Sequence, residues 1–96
     1  MSQFRAGSGS YQQVIPVTLN PSSINAGSVS QETFTPDALV ELTADSAVYV
    51  TAPSLEAGLV LVQSRITDTG TLELSIWNTT GGAVNPASQQ FNVLVF

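Results

Sequence analysis

The chain has 96 residues, with no cysteine, histidine or lysine, and its two arginines stand against seven carboxylates for a net charge of −5. That composition excludes disulfides and thiolate metal sites, the usual nucleophile–base pairs, imidazole ligands and Schiff bases. By sign it also disfavours nucleic-acid phosphates and anionic membranes as partners.

At this length one domain is expected, and a chain so short hides only about 60–65% of its unfolded surface, so contacts with other subunits are an expected source of stability. Met1–Ser10 is polar and lacks the apolar stretch of a signal peptide, and no apolar run exceeds the four residues of Leu59–Val62. The chain therefore reads as soluble and non-secreted.

Residues 1–13 (MSQFRAGSGSYQQ) are rich in Gly and Ser but keep Phe4, Arg5 and Tyr11. Two readings stand side by side: a flexible terminus, or an N-terminal arm that docks on a partner through those three side chains. Residues 14–96 read as the folded domain. Val14–Leu19 is β-rich, and Pro16 removes a ladder donor, which marks an edge strand. Asn20–Ser28 is a loop by composition. Ser28–Thr35 alternates as a strand, and Pro36–Leu39 reads as a turn in preference to a helical start capped by Thr35. Further strands are predicted at Ala47–Ala52, closed by Pro53, at Leu59–Thr67 after the turn Leu55–Gly58, and at Thr71–Thr79. A long turn over Thr80–Ser88 leads to a last strand, Gln89–Phe96. Short strands punctuated by Gly and Pro, with no sustained helical period, predict an all-β fold: a small Ig-like or jelly-roll-like β-sandwich.

Asp68-Thr69-Gly70 fits a three-residue hairpin loop with Gly in the left-handed position. It pairs Thr67 with Thr71, Ile66 with Leu72 and Arg65 with Glu73. Alternation then assigns Val60, Val62, Ile66, Leu72, Leu74 and Ile76 to the core, with Ser64 as the polar member of that face. The opposite face carries Arg65 across from Glu73, Gln63 across from Ser75, and an apolar cluster of Leu59, Leu61 and Trp77. Either the same chain covers that cluster, or it is a subunit contact, since Trp and Arg are enriched at interfaces.

No catalytic constellation emerges, and no cofactor is implied. Asn78-Thr79-Thr80 matches a glycosylation sequon but reads better as a polar turn at a strand end. Gly7-Ser8-Gly9-Ser10 lacks the Lys of a phosphate loop. Asp37, Glu41 and Asp45 lack the dense oxygen spacing and the Gly of a calcium loop.

Five segments together carry a resemblance: NPSSINAGS (Asn20–Ser28), QETFT (Gln31–Thr35), APSLEAGLVLVQSRI (Ala52–Ile66), TLELSIWNTTGGAVNP (Thr71–Pro86) and FNVLVF (Phe91–Phe96). They resemble a family of short virion domains of tailed bacteriophages, capsid decoration or cement proteins. Ala44–Asp45 departs from the Gly-Asp of the family pattern, and Trp77 stands where a smaller or different apolar residue is usual. The resemblance implies a non-enzymatic structural protein with a sandwich fold, assembled as a trimer. Its partner would be the major capsid protein on the capsid exterior, after synthesis in the host cytoplasm. The acidic balance leaves neither nucleic acid nor membrane as an expected partner. Phe4, Arg5, Tyr11, Leu59, Leu61, Arg65, Glu73 and Trp77 are the expected subunit or capsid contacts. The rival readings are a tail-fibre or receptor- and glycan-binding virion module, a small enzyme, and a secreted adhesin.

Overall fold

A computed structural model of the chain describes residues 13–96. It contains six strands: β1 (Gln13–Leu19), β2 (Val29–Phe34), β3 (Val48–Thr51), β4 (Leu59–Asp68), β5 (Thr71–Asn78) and β6 (Gln89–Val95). They form two three-stranded antiparallel sheets, ordered β1-β6-β3 and β2-β5-β4. The fold is all-β, a small sandwich, as the pattern of short strands predicts. Gln13, placed by the sequence reading in the arm, is the first residue of β1 and pairs with Val95.

Each strand turns alternate residues inward. Ile15, Val17 and Leu19 of β1 meet Phe91 and Val93 of β6 and Val50 of β3. Leu72, Leu74 and Ile66 close the core from the other sheet, with Leu39 between them. Phe91, Leu72, Leu39 and Val93 are fully buried. β1 is an edge strand, consistent with Pro16, which sits opposite Asn92. Pro36–Leu39 forms a single 3-10 turn over Asp37–Leu39, opened by Pro36 and not by a Thr35 cap. Gly70, with φ +74, makes the β4–β5 turn and donates its N–H to Leu42 O at 2.8 Å. The hairpin tip therefore rests on the segment that follows the 3-10 turn. A Cβ at Gly70 would press on the Val40 backbone at 3.3 Å.

The β4–β5 hairpin departs from the sequence expectation twice. Asp68, not Thr67, pairs with Thr71, and Thr67 is the extra residue of a bulge, so the connection narrows to Thr69–Gly70. A second irregularity at Val62 has larger consequences. Arg65↔Glu73 and Gln63↔Ser75 hold as expected, but beyond Val62 the pairing becomes Leu61↔Ile76 and Val60↔Trp77. One extra residue reverses the faces of everything past it. Leu59 and Leu61 turn inward, while Val60 and Val62, expected in the core, are 44% and 49% exposed. The reversal buries the two larger leucines against Ile24 and Ile76 and leaves the smaller valines outside.

Candidate functional site

The β4–β5 hairpin carries two different structures on one strand, because Trp77 and Asn78 point to opposite faces. On the inner side, Asn78 is wholly buried. Its Nδ2 donates to Ile24 O at 2.9 Å and to Gly82 O at 2.8 Å. Its Oδ1 accepts from Thr80 N at 2.9 Å and Thr80 Oγ1 at 2.7 Å. The amide is thus filled on both ends, which is what a buried Asn requires. Ile24 and Val84 bridge beside it, with N···O distances of 2.8 and 3.0 Å. Thr79 N and Thr79 Oγ1 both donate to Gly58 O. Gly58 has φ +86, and a Cβ there would collide with the Thr80 methyl.

Residues far apart in the sequence, namely Ile24, Gly58, Asn78–Gly82 and Val84, therefore converge on one bracket at the end of the sandwich. The bracket lies over a second apolar cluster of Ile24, Leu59 and Ile76. The sequon is structural: with both amide hydrogens committed inside the fold, Asn78 offers no nitrogen to a glycan.

On the outer side the β2-β5-β4 sheet presents three cross-strand rows. Val29, Trp77 and Val60 form the first, extended by Val62 at the bulge; Gln31, Ser75 and Gln63 form the second; Thr33, Glu73 and Arg65 form the third. Trp77 is 42% exposed and Val29 is 58% exposed. The cluster expected from the sequence, Leu59 with Leu61 and Trp77, is thus replaced. Leu59 and Leu61 belong to the core, and the side chains flanking Trp77 are the valines of β2 and β4. Arg65 Nε donates to Glu73 Oε1 at 2.7 Å. The carboxylate is buried under its neighbours, while the arginine side chain remains 56% exposed. A cross-strand pair of this kind contributes about 0.2–1 kcal/mol. Phe4, Arg5 and Tyr11 lie outside the described residues.

The distribution of charge separates these faces from the rest of the molecule. The outer face of β2-β5-β4 carries one cation and one anion, already paired. That of β1-β6-β3 carries Val14, Pro16, Asn92, Leu94, Tyr49 and Thr51, with no charge at all. Of the other six carboxylates, Glu32 lies on the inner side of edge strand β2 opposite Leu74, and the rest sit on rims and connections. Glu32 accepts from Ser22 N and Oγ at 2.9 and 3.2 Å. Asp37, Glu41 and Asp45 occupy the segment around the 3-10 turn, and Asp68 the hairpin tip. Glu56 accepts from Ala87 N at 2.7 Å and Gln89 Nε2 at 3.0 Å. The Ala87 amide, then the Gln89 side chain, hold its carboxyl below the ordinary value of 4.5.

A groove of about 720 Å³ opens between the edges of β3 and β4, lined by Val50, Leu55, Leu59 and Val62 among others. No carboxylate or cation lines it. Asp37, Glu41 and Asp45 do not converge: among the described residues no three of the acidic side chains gather where an ion would sit. Nor is any helix among them long and apolar enough to cross a membrane. Comparison with family models, with curated proteins and with solved structures finds no match.

Proposed function

We propose that the chain is a structural protein of a tailed-bacteriophage virion, a decoration protein that binds the outer surface of the head and stabilises the shell. The observation that carries this reading is that neither outer sheet face of this acidic domain carries an unpaired charge, with Trp77 left open on one of them. Burying a charge at a contact costs free energy unless it is paired, so neutral faces are the surfaces that can be covered. The resemblance of the hairpin and its flanking segments to virion decoration domains supplies the partner, the major capsid protein, and implies a homotrimer as the assembled form.

The mechanism is linkage. A protein that binds the assembled shell, and not its separated subunits, shifts the equilibrium toward assembly by RT ln(1 + [L]/Kd). Repetition over a symmetric surface lets individually weak contacts act together. A rigid sandwich suits such a clamp because little of the gain is lost in ordering it.

Gold-labelled antibody against the chain, applied to intact virions of the phage that encodes it, tests the reading directly. Label over the heads is the expected result. Label confined to tails favours the receptor- or glycan-binding module instead, and unlabelled particles overturn a virion role.

A further inference from the structure

The outer face of β2-β5-β4 is close to palindromic about β5. Its first row reads Val29–Trp77–Val60 and its second Gln31–Ser75–Gln63. We infer that this face pairs with the same face of a second copy, through an isologous contact whose twofold axis runs along β5, centred on Trp77.

The operation decides which residues meet. Rotation about an axis parallel to β5, lying between two stacked sheets, preserves position along the strands and lays β2 of one copy over β4 of the other. Each row then faces its own kind: valine over valine, tryptophan over tryptophan, and glutamine over glutamine. Face-to-face sheets lie about 10 Å apart, with their twist accommodated at roughly 30°. The first row is asymmetric by the extra Val62 of the bulge on β4, and the third by Arg65 across from Thr33, where Glu73 lies over the partner's Glu73 and the arginines offset the like charges. Arg65 spends Nε on Glu73 and has no other partner among the described residues. Its terminal N–H groups, one strand spacing from the centre, reach the partner's Glu73. The result is a four-charge cluster with no net charge.

Charge also selects a copy of this chain as the occupant. Two acidic bodies repel wherever rims meet, and this face is where they approach without it. The nearest uncompensated carboxylate along the hairpin is Asp68, opposite Thr71 and six residues of β5 from Trp77, or roughly 20 Å at 3.3 Å per residue. Because the axis places the two β4 strands over opposite edges, Asp68 and the partner's Asp68 stay about 14 Å apart, beyond a Debye length of about 8–10 Å. The other sheet's outer face is neutral as well, but its row Val14–Leu94–Tyr49 is not symmetric about its central strand.

Size sets the strength. Three strands at about 4.8 Å and six paired positions at about 3.3 Å give a face of roughly 300 Å², well under the ~800 Å² per partner of a stable complex. The contact is therefore weak in dilute solution and closes when copies are concentrated, as on a repeating surface. This inference rests on the proposed function only in that copies of the chain associate, and neither on their number nor on the shell. A virion lacking the protein would leave it standing, and a protein that never pairs would leave head labelling standing. It replaces the threefold contact implied by the resemblance, because a closed trimer needs two different surfaces per copy and an isologous face supplies one.

Sedimentation equilibrium of the full chain, from micromolar to millimolar concentration, tests it. The mass is expected to climb from one copy toward two. The emission of the single tryptophan should move to shorter wavelength in step, which reports on Trp77 itself. Trp77→Glu, and independently Val29→Glu on the exposed edge strand, should each weaken association by about tenfold or more. Tyr49→Glu on the opposite sheet should leave it unchanged. A wild-type mass of one copy at millimolar concentration, a mass that climbs to three, or association retained by both glutamate variants overturns the inference.

Discussion

Trp77 and Asn78 are neighbours in β5, yet they belong to regions with opposite chemistry. Asn78 closes the bracket at the end of the sandwich: every polar atom of its amide is matched, and four hydrogen bonds tie it to Ile24 and to the turn at Thr80 and Gly82. Trp77 opens onto a face with a third row already paired, a second row of neutral amides and hydroxyls, and a first row of exposed apolar side chains. The motif-rich stretches of the sequence serve the first region almost entirely. The second is written in ordinary valines and glutamines whose importance lies in register. Specialised residues are needed where the backbone is forced into unusual geometry, and a contact surface needs only the right side chains on one face.

If that division is real, substitutions in the bracket damage the fold and spare association, while those on the face do the reverse. The largest expected effect is at Asn78. Asn78→Ala removes four hydrogen bonds, leaving Ile24 O with Val84 N and Gly82 O with the Thr80 hydroxyl as donors, and leaves the Thr80 amide without the Asn78 acceptor above a void. Each lost hydrogen bond costs about 0.5–1.5 kcal/mol and the void adds to them, so a loss of about 3 kcal/mol or more is expected in urea unfolding. Gly58→Ala follows at about 2–3 kcal/mol, since it combines a left-handed backbone with a collision against Thr80. A loss below about 0.5 kcal/mol for either, measured the same way, would break the assignment of the bracket as scaffold.

The next comparison sharpens the register itself. Leu61 packs against both apolar clusters, whereas Val60 lies beside Trp77 on the outer face. Leu61→Ala should cost about 2 kcal/mol and Val60→Ala less than about 0.5. The unbulged register would reverse that order. This is where the sequence was least legible. Arg65 with Glu73, Gln63 with Ser75, the left-handed Gly70, the Pro16 edge strand and the sandwich class could all be read from alternation and turn chemistry. Leu59–Val62, however, is apolar at every position, so the alternation that fixes a strand's faces is silent there, and a bulge at Val62 leaves no mark in composition. The bracket was half visible: a turn after β5 follows from the Thr-Gly-Gly at Thr80–Gly82, but the buried partner of Asn78 on Ile24, 54 residues away, is a matter of long-range packing. Glu56 passed unnoticed because its partners lie 31 and 33 residues away.

Glu56 provides a smaller test at the same end of the molecule. Its folded-state value is depressed by the Ala87 amide and the Gln89 side chain. The stability it contributes is therefore present in full above the ordinary value of 4.5 and is lost as pH falls through the lower folded value. Glu56→Gln should be less stable than the native chain at about pH 7, and the gap should close toward about pH 3. A constant gap across that range would show that the carboxylate's charge adds nothing to this clamp.

A small effect on folding is also expected at the residue most conspicuous in the sequence. Trp77 is a large aromatic, and in a core its truncation to alanine would cost about 3–5 kcal/mol. Here its ring lies on the outer face between two exposed valines, so Trp77→Thr, which keeps a β-favouring side chain, should shift stability by no more than about 1 kcal/mol in dilute solution. Measured at millimolar concentration, where copies pair, the same substitution should appear more costly, because the native chain gains stability from association and the variant does not. A deficit that is already large in dilute solution would move Trp77 from the contact face into the scaffold. One that does not grow with concentration would remove the difference between the two sides of β5.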